Sequence, residues 1–236
     1  AGIQESNFLG TATSLTALFT KTPDRSWGQF TYFNPHFIAR RPRFALTYQP
    51  RSDGTYWAWS LGVPFYQTAA QRQFGTNGDA LTYRVLVFKD QALFATTQRH
   101  GLRFGVNAGR ALRATSHSYV RLWVAGAWRR EDFVPDTVIA PGSTFGTVGM
   151  GIEVAKTRFR VLERFNTYAR REDVNLSEYF RVGVWAAPRA FGYPSGQAGV
   201  GLEMSGQAST FWPGGFVVLN GVARGVYAGG VLDSGR

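Results

Sequence analysis

Apolar and polar residues alternate along most of this chain. Phe44, Leu46 and Tyr48 are separated by Ala45 and Thr47. After a short turn, Trp57, Trp59, Leu61 and Val63 are separated by Ala58, Ser60 and Gly62. Side chains on a strand point to opposite faces with period two, so each set shares one face of a sheet. The same pattern recurs at Leu15, Ala17 and Phe19; at Phe30 and Tyr32; at Leu102, Phe104, Val106 and Ala108; at Val120, Leu122, Val124 and Trp128; and at Val148, Met150, Ile152 and Val154. Further on it covers Phe180, Val182 and Val184, then Val200, Leu202 and Met204, and finally 216–227. A less regular strand is expected over 81–88, and another through Phe159, Val161 and Phe165. Helical periodicity is nearly absent, and the pattern predicts about eleven strands in one all-β domain spanning 1–236.

Turn chemistry punctuates the strands. Thr-Pro-Asp-Arg at 22–25 and Arg-Ser-Asp-Gly at 51–54 predict tight turns, with Gly54 supplying a positive φ. Longer polar connectors are expected at 67–79, 129–142 and 170–177. Such alternation suits an antiparallel up-and-down meander, with short turns at one end and long loops at the other.

The positions between the apolar ones are Gly, Ser, Thr, Gln, Asn, Glu and Arg. A soluble sandwich and a membrane barrel both produce this alternation. Strand length favours the barrel, since tilted membrane strands need about 9–11 residues while sandwich strands average about five or six. Aromatics near strand ends (Tyr32, Phe33, Phe37, Phe65, Tyr66, Phe191, Tyr193, Phe211 and Trp212) favour it too, because such residues collect at the lipid–water boundary. On the barrel reading Phe44, Leu46, Tyr48, Trp57, Trp59, Leu61, Val63, Val148, Met150 and Ile152 face lipid. Tyr56, Ala58, Ser60 and Gly62 then face the lumen.

Composition narrows the chemistry. The net charge is +11, carried almost wholly by arginine, since Lys21, Lys89 and Lys156 are the only lysines. The arginines are scattered, with short pairs at 40–41, 129–130 and 170–171, which reads as solvated surface or an arginine-rich inner wall and not as a nucleic-acid patch. No cysteine is present, which excludes disulfides and thiolate chemistry. No apolar run reaches the roughly 18 residues of a membrane helix, and the opening residues AGIQESNFLG carry no basic or apolar leader region. His36, His100 and His117 lack metal-ligand spacing. Gly149 and Gly151 fit close packing on a strand better than a phosphate loop. Glu131 with Asp132, and Glu172 with Asp173, read as solvated charges in arginine-flanked loops. No enzyme, cofactor or metal site is expected.

Several motifs, in order and spacing, resemble the outer-membrane assembly and surface-antigen β-barrel family (the BamA/TamA type). Glu5, Asn7, Leu9 and Gly10 match an early E-x-N-x-L-G strand end, with Ala12 where the family has a second glycine. Asn34, Pro35 and Phe37 match an N-P-x-F hairpin end. Ser52, Asp53 and Gly54 match an S-D-G turn, and Pro64, Phe65 and Tyr66 a strand end. Glu172, Asp173, Val174 and Leu176 resemble an acidic E-D-V-x-L loop. Pro188, Arg189 and Gly192 resemble an S-P-R-x-x-G end, with Ala187 replacing the serine. The V-R-G-[FY] lumen loop is not matched, since Arg224 and Gly225 sit in an alternating strand without the following aromatic. The resemblance implies an outer-membrane barrel of about sixteen strands, of which the first and last are expected to be missing here. It implies insertion or translocation of proteins at the bacterial outer membrane, through a weak seam that pairs with a client strand. The implied partners are outer-membrane lipid and other outer-membrane or periplasmic proteins. A non-catalytic anchoring barrel within a larger complex and a soluble β-protein binding an anionic ligand are the alternatives.

Overall fold

The computed structural model describes residues 1–23, 25–40, 42–90, 92–134, 142–163, 171–191, 198–228 and 231–233. One antiparallel sheet dominates it, with β1 (Gly2–Phe8), β2 (Thr13–Lys21), β3 (Ser26–Asn34), β4 (Arg43–Arg51), β5 (Gly54–Val63), β6 (Arg72–Lys89), β7 (Ala92–Ala114), β8 (Ser118–Val134) and β9 (Ser143–Lys156) in chain order. A two-stranded ribbon interrupts the meander, β10 (Phe159–Glu163) against β11 (Arg171–Asn175). The sheet resumes with β12 (Glu178–Ala187), which pairs directly with β9, and continues through β13 (Gly199–Trp212), β14 (Gly215–Ala228) and β15 (Val231–Asp233). The 13-stranded sheet is therefore an up-and-down meander, as the alternation predicts. One helical turn, α1 (Phe37–Arg40), sits between β3 and β4.

Several expectations are corrected. β1 is a strand that the apolar pattern does not announce, because its residues Ile-Gln-Glu-Ser-Asn are mostly polar and all seven of its positions are exposed. The segment through Phe159 and Val161 is not a strand of the large sheet but half of the separate ribbon, and Phe165 lies outside the described residues. The connector expected at 67–79 ends at residue 71, before β6 begins at Arg72, and the one at 129–142 starts only after Val134. Residues 171–175 are β11, so Glu172 and Asp173 lie on a strand. Glu131 and Asp132 likewise lie on β8. Tight turns are not confined to one end: those at 22–25 and 51–54 share an end with the long 134–143 connector, while 114–118 and 212–215 are short turns at the other.

The β6 stretch shows why periodicity fails locally. Its positions on the apolar side are Thr76, Gly78 and Ala80, which look polar or small in sequence. A side chain on Gly78 would meet the Trp59 indole at 2.8 Å, so the tryptophan of the neighbouring strand covers that space. Gly54 shows a similar economy. Its φ of 159° is ordinary extended backbone, so the expected positive φ is not its role. A Cβ there would run into the Thr82 carbonyl of β6, and glycine is needed for that close approach.

The clearest packing lies on β8, β9 and β12. The Trp123 ring lies over Gly151 and Gly183, and the Trp185 ring over Gly149, so that any Cβ at these glycines would overlap an indole. The two indoles meet at 5.6 Å between centroids with a 41° tilt. Trp123 is only 5% exposed. Gly183→Val should therefore lower stability by about 1–3 kcal/mol through overpacking. Gly221→Val, where a Cβ meets nothing within 4 Å, should be close to neutral. Urea unfolding followed by tryptophan fluorescence compares the two, and equal midpoints would contradict the packing described.

Candidate functional site

Register decides which side chains share a face. Phe44 of β4 pairs with Leu61 of β5, Leu61 with Thr76, Thr76 with Val106, and Val106 with Gly126. The row runs on to Val148, Ala186, Val200 and Tyr227. Neighbouring rows carry Leu46 with Trp59, Tyr48 with Trp57, and Val63 with Phe74. On the later strands they carry Val124, Met150, Val184 and Leu202, then Leu122, Ile152, Val182 and Met204. All ten residues read from the sequence as lipid-facing fall on this one apolar face. Met150 is 60% exposed, Val184 56% and Val148 52%, so the described chain leaves the face open.

The apolar face has a defined height. On β9 it runs through Gly146, Val148, Met150, Ile152 and Val154, and stops at Thr144 on one side and Lys156 on the other. At about 3.3 Å per residue this is about 26 Å along the strand. Polar residues bound it across the sheet: Thr82, His100, Arg130 and Asp132 at one rim, Arg72, Arg110, Arg113, Lys156 and Glu178 at the other.

The opposite face is polar and internally bonded. Arg181 of β12 sits between two carboxylates, Nη1 at 3.4 Å from Glu153 of β9 and Nε at 3.5 Å from Glu203 of β13. The Tyr119 hydroxyl donates to Glu153 at 2.6 Å, and the Trp185 indole N–H donates to Glu203 at 3.0 Å. The Arg181 guanidinium lies 4.1 Å over the Trp123 ring. Each charged group thus has a partner of opposite sign, which is what permits partly buried charges. A second group binds β6, β7 and β8 near the other rim: Arg99 donates to the Tyr83 hydroxyl at 2.7 Å and to Glu131 at 2.6 Å. Chemically these groups form braces, because their carboxylates are held by arginine.

Two chain segments fold onto this polar face. The β5–β6 connector brings Phe65 to 3.8 Å from the Arg121 guanidinium, whose other side meets Tyr119 at 3.6 Å. Arg121 Nη2 donates to the carbonyls of Thr68 at 2.8 Å and Gln67 at 3.2 Å. Arg121 is only 7% exposed. The β10–β11 ribbon also leans on the face: Leu176 is fully buried, Ser209 of β13 donates to its carbonyl, and Gln207 donates to that of Ser177 at 2.6 Å.

The motif residues build turns and straps. Glu5 accepts from the Asn7 N–H and Asn7 from the Ala12 N–H, both at 2.9 Å, closing the turn that contains Gly10. Ala12 has φ 57°, a conformation that favours glycine. Asn34 accepts from the His36 N–H at 2.8 Å beside Pro35, and Phe37 stacks on Phe44 at 4.7 Å. Asp53 pairs with Arg25 at 3.4 Å, next to Gly54. Pro64 leads into the strap, where Tyr66 takes the Arg43 guanidinium at 4.9 Å. Arg189 starts a 3-10 turn, and Gly192 and Tyr193 lie outside the described residues. His100 stands 3.2 Å from Thr82 Oγ, while His36 and His117 occupy turns. Among the described residues no three His, Asp or Glu side chains converge on a metal position, and no helix is long and apolar enough to cross a membrane. Comparison with protein-family models, with curated proteins and with solved structures finds no match to this chain.

The Arg121, Glu153, Arg181 and Glu203 set was missed from sequence. Each residue has the polar parity of its strand, but only the register aligns them. Arg121→Ala removes two charge-assisted hydrogen bonds and a double aromatic contact. It should cost about 2–4 kcal/mol and raise proteolytic cleavage within 64–71. Arg121→Lys should not restore protection, lacking the planar fork.

Proposed function

We propose that this sheet is the wall of a transmembrane β-barrel in the bacterial outer membrane. The apolar face meets lipid and the polar face lines an aqueous lumen. One observation carries the reading: a single open apolar face runs across the wall strands with polar rims on both sides. An exposed apolar surface this broad marks an interaction or membrane surface. Its height of about 26 Å along the strands becomes about 20 Å at a barrel tilt of about 40°, near the roughly 25 Å band of such barrels. Strands of the sheet run from 7 to 23 residues, apart from the terminal β15, and most meet the crossing length.

Within this reading the chain serves protein insertion or translocation, as its resemblance to the assembly and surface-antigen barrels suggests. β1 is the edge strand on which this would depend. It pairs with β2, and its other edge has no partner among the described residues. A client strand could extend the sheet there by backbone pairing. An anchoring role within a larger complex is the second reading. It is favoured by the ribbon and strap on the polar face, which fill lumen space that a translocating chain would need.

The test is a pair of variants on adjacent residues. Leu61→Arg should cost about 2–4 kcal/mol in folding into lipid bilayers, and Ser60→Arg far less. Equal costs, or a purified chain that is monomeric and soluble without detergent, would overturn the membrane reading.

A further inference from the structure

The two rims of the apolar face differ in charge. At one, Arg130 is neutralised by Asp132 at 2.8 Å, which leaves Arg84 of β6 as the remaining arginine among the described residues. At the other, Arg72 of β6 and Arg110 of β7 are directly opposite each other on the apolar face. Like charges placed so repel. A β-bulge then brings a third arginine to the same place. Pairing steps from Ala111 against Arg121 to Arg113 against Val120, skipping Leu112. Without the bulge Arg113 would point to the polar face; with it, Arg113 joins Arg110 beside Val120. All three are exposed. The nearest carboxylate on this rim is Glu178, opposite Lys156 and already paired with Arg158 at 3.7 Å. No carboxylate pairs with the three arginines among the described residues.

Apolar troughs open from this cationic rim. One, of about 1190 Å³, begins at Ala108, one outward position below Arg110, and runs past Val124, Met150 and Leu202. The other, of about 850 Å³, is lined by Arg113 and Lys156 together with Val120, Val154, Phe180 and Leu219. Cationic groups at the head of an apolar trough match an amphiphile with an anionic head and acyl tails.

We propose that Arg72, Arg110 and Arg113 bind the phosphate of a lipid headgroup whose acyl chains lie in these troughs. The proposal rests on the membrane reading. It orients the protein, placing this rim in the leaflet richer in anionic lipid. Guanidinium groups take phosphate oxygens bidentately, so arginine suits the role better than lysine.

The experiment reconstitutes the full chain in phosphatidylcholine vesicles and reads spin-labelled phosphatidylglycerol against spin-labelled phosphatidylcholine at the protein boundary by electron paramagnetic resonance. The wild type is expected to favour phosphatidylglycerol on the order of fivefold. A variant carrying Arg72→Gln, Arg110→Gln and Arg113→Gln should fall to near parity, while Arg84→Gln with Arg130→Gln at the opposite rim keeps the preference. Millimolar inorganic phosphate should leave the preference in place. If phosphate abolishes it, the site takes a free anion and the lipid assignment falls. A motionally restricted boundary signal without preference, or a preference unchanged in the triple variant, overturns the proposal and leaves the membrane reading standing. Absence of any boundary signal sinks both.

Discussion

A sheet with one apolar and one polar face depends on its register, because a slip of one residue exchanges the faces. Backbone hydrogen bonds cannot set it, since they repeat at every pair. Here the setting comes from side chains that fit at one register only. Trp123 lies over Gly151 and Gly183, and Trp185 over Gly149. A shift of one residue would place an indole against Val182, Met150 or Ile152, which have no room for it. The same register sets Arg181 directly opposite Glu153 and diagonal to Glu203, within reach of both. Ion pairs of this kind add little net stability, but they penalise any pairing that leaves a charge unmatched. Packing and charge therefore select the same register.

Much of the fold was legible because alternation survives wherever a strand presents its own apolar side chains. β4, β5, β8, β9 and β13 announce themselves in this way. β6 is blurred, because Trp59 of the next strand covers Gly78 and no apolar residue is needed there. β1 is silent, because Gln4 and Ser6 alternate with Ile3 and Glu5 and no face is consistently apolar. The β10–β11 ribbon reads like a strand of the large sheet, because Phe159 and Val161 have the right period; only pairing of β9 with β12 shows that the sheet continues without it. The apolar-face set required period two alone and was readable. The braced polar set required the alignment of residues 18 to 34 positions apart, which no local pattern encodes.

The polar face is not an empty surface. Arg121 holds the β5–β6 strap by two carbonyls and two rings, and Leu176 anchors the ribbon from below. A strap held through backbone carbonyls tolerates many side chains at Gln67 and Thr68. The ribbon is held by the buried Leu176 side chain and by Ser209 and Gln207 on the Leu176 and Ser177 carbonyls, and only the leucine is intolerant of change. Both insertions are thus secured through backbone carbonyls, and the ribbon adds an apolar anchor that depends on shape.

β6 and β7 are longer than their neighbours. β5 pairs with β6 only as far as Thr82, and β8 with β7 only as far as Gln98. Beyond these points the sheet is two strands wide among the described residues, up to the turn at Asp90, about 20 Å further at about 3.3 Å per residue. Two-stranded sheet is less stable than broad sheet, so the backbone pairs of this part open more readily than those of the sheet below. Its amide hydrogens would exchange on their own timescale, set by local opening and not by global unfolding. The same sheet thus contains two mechanical regimes, a stiff broad part and a more compliant blade rising from two of its strands.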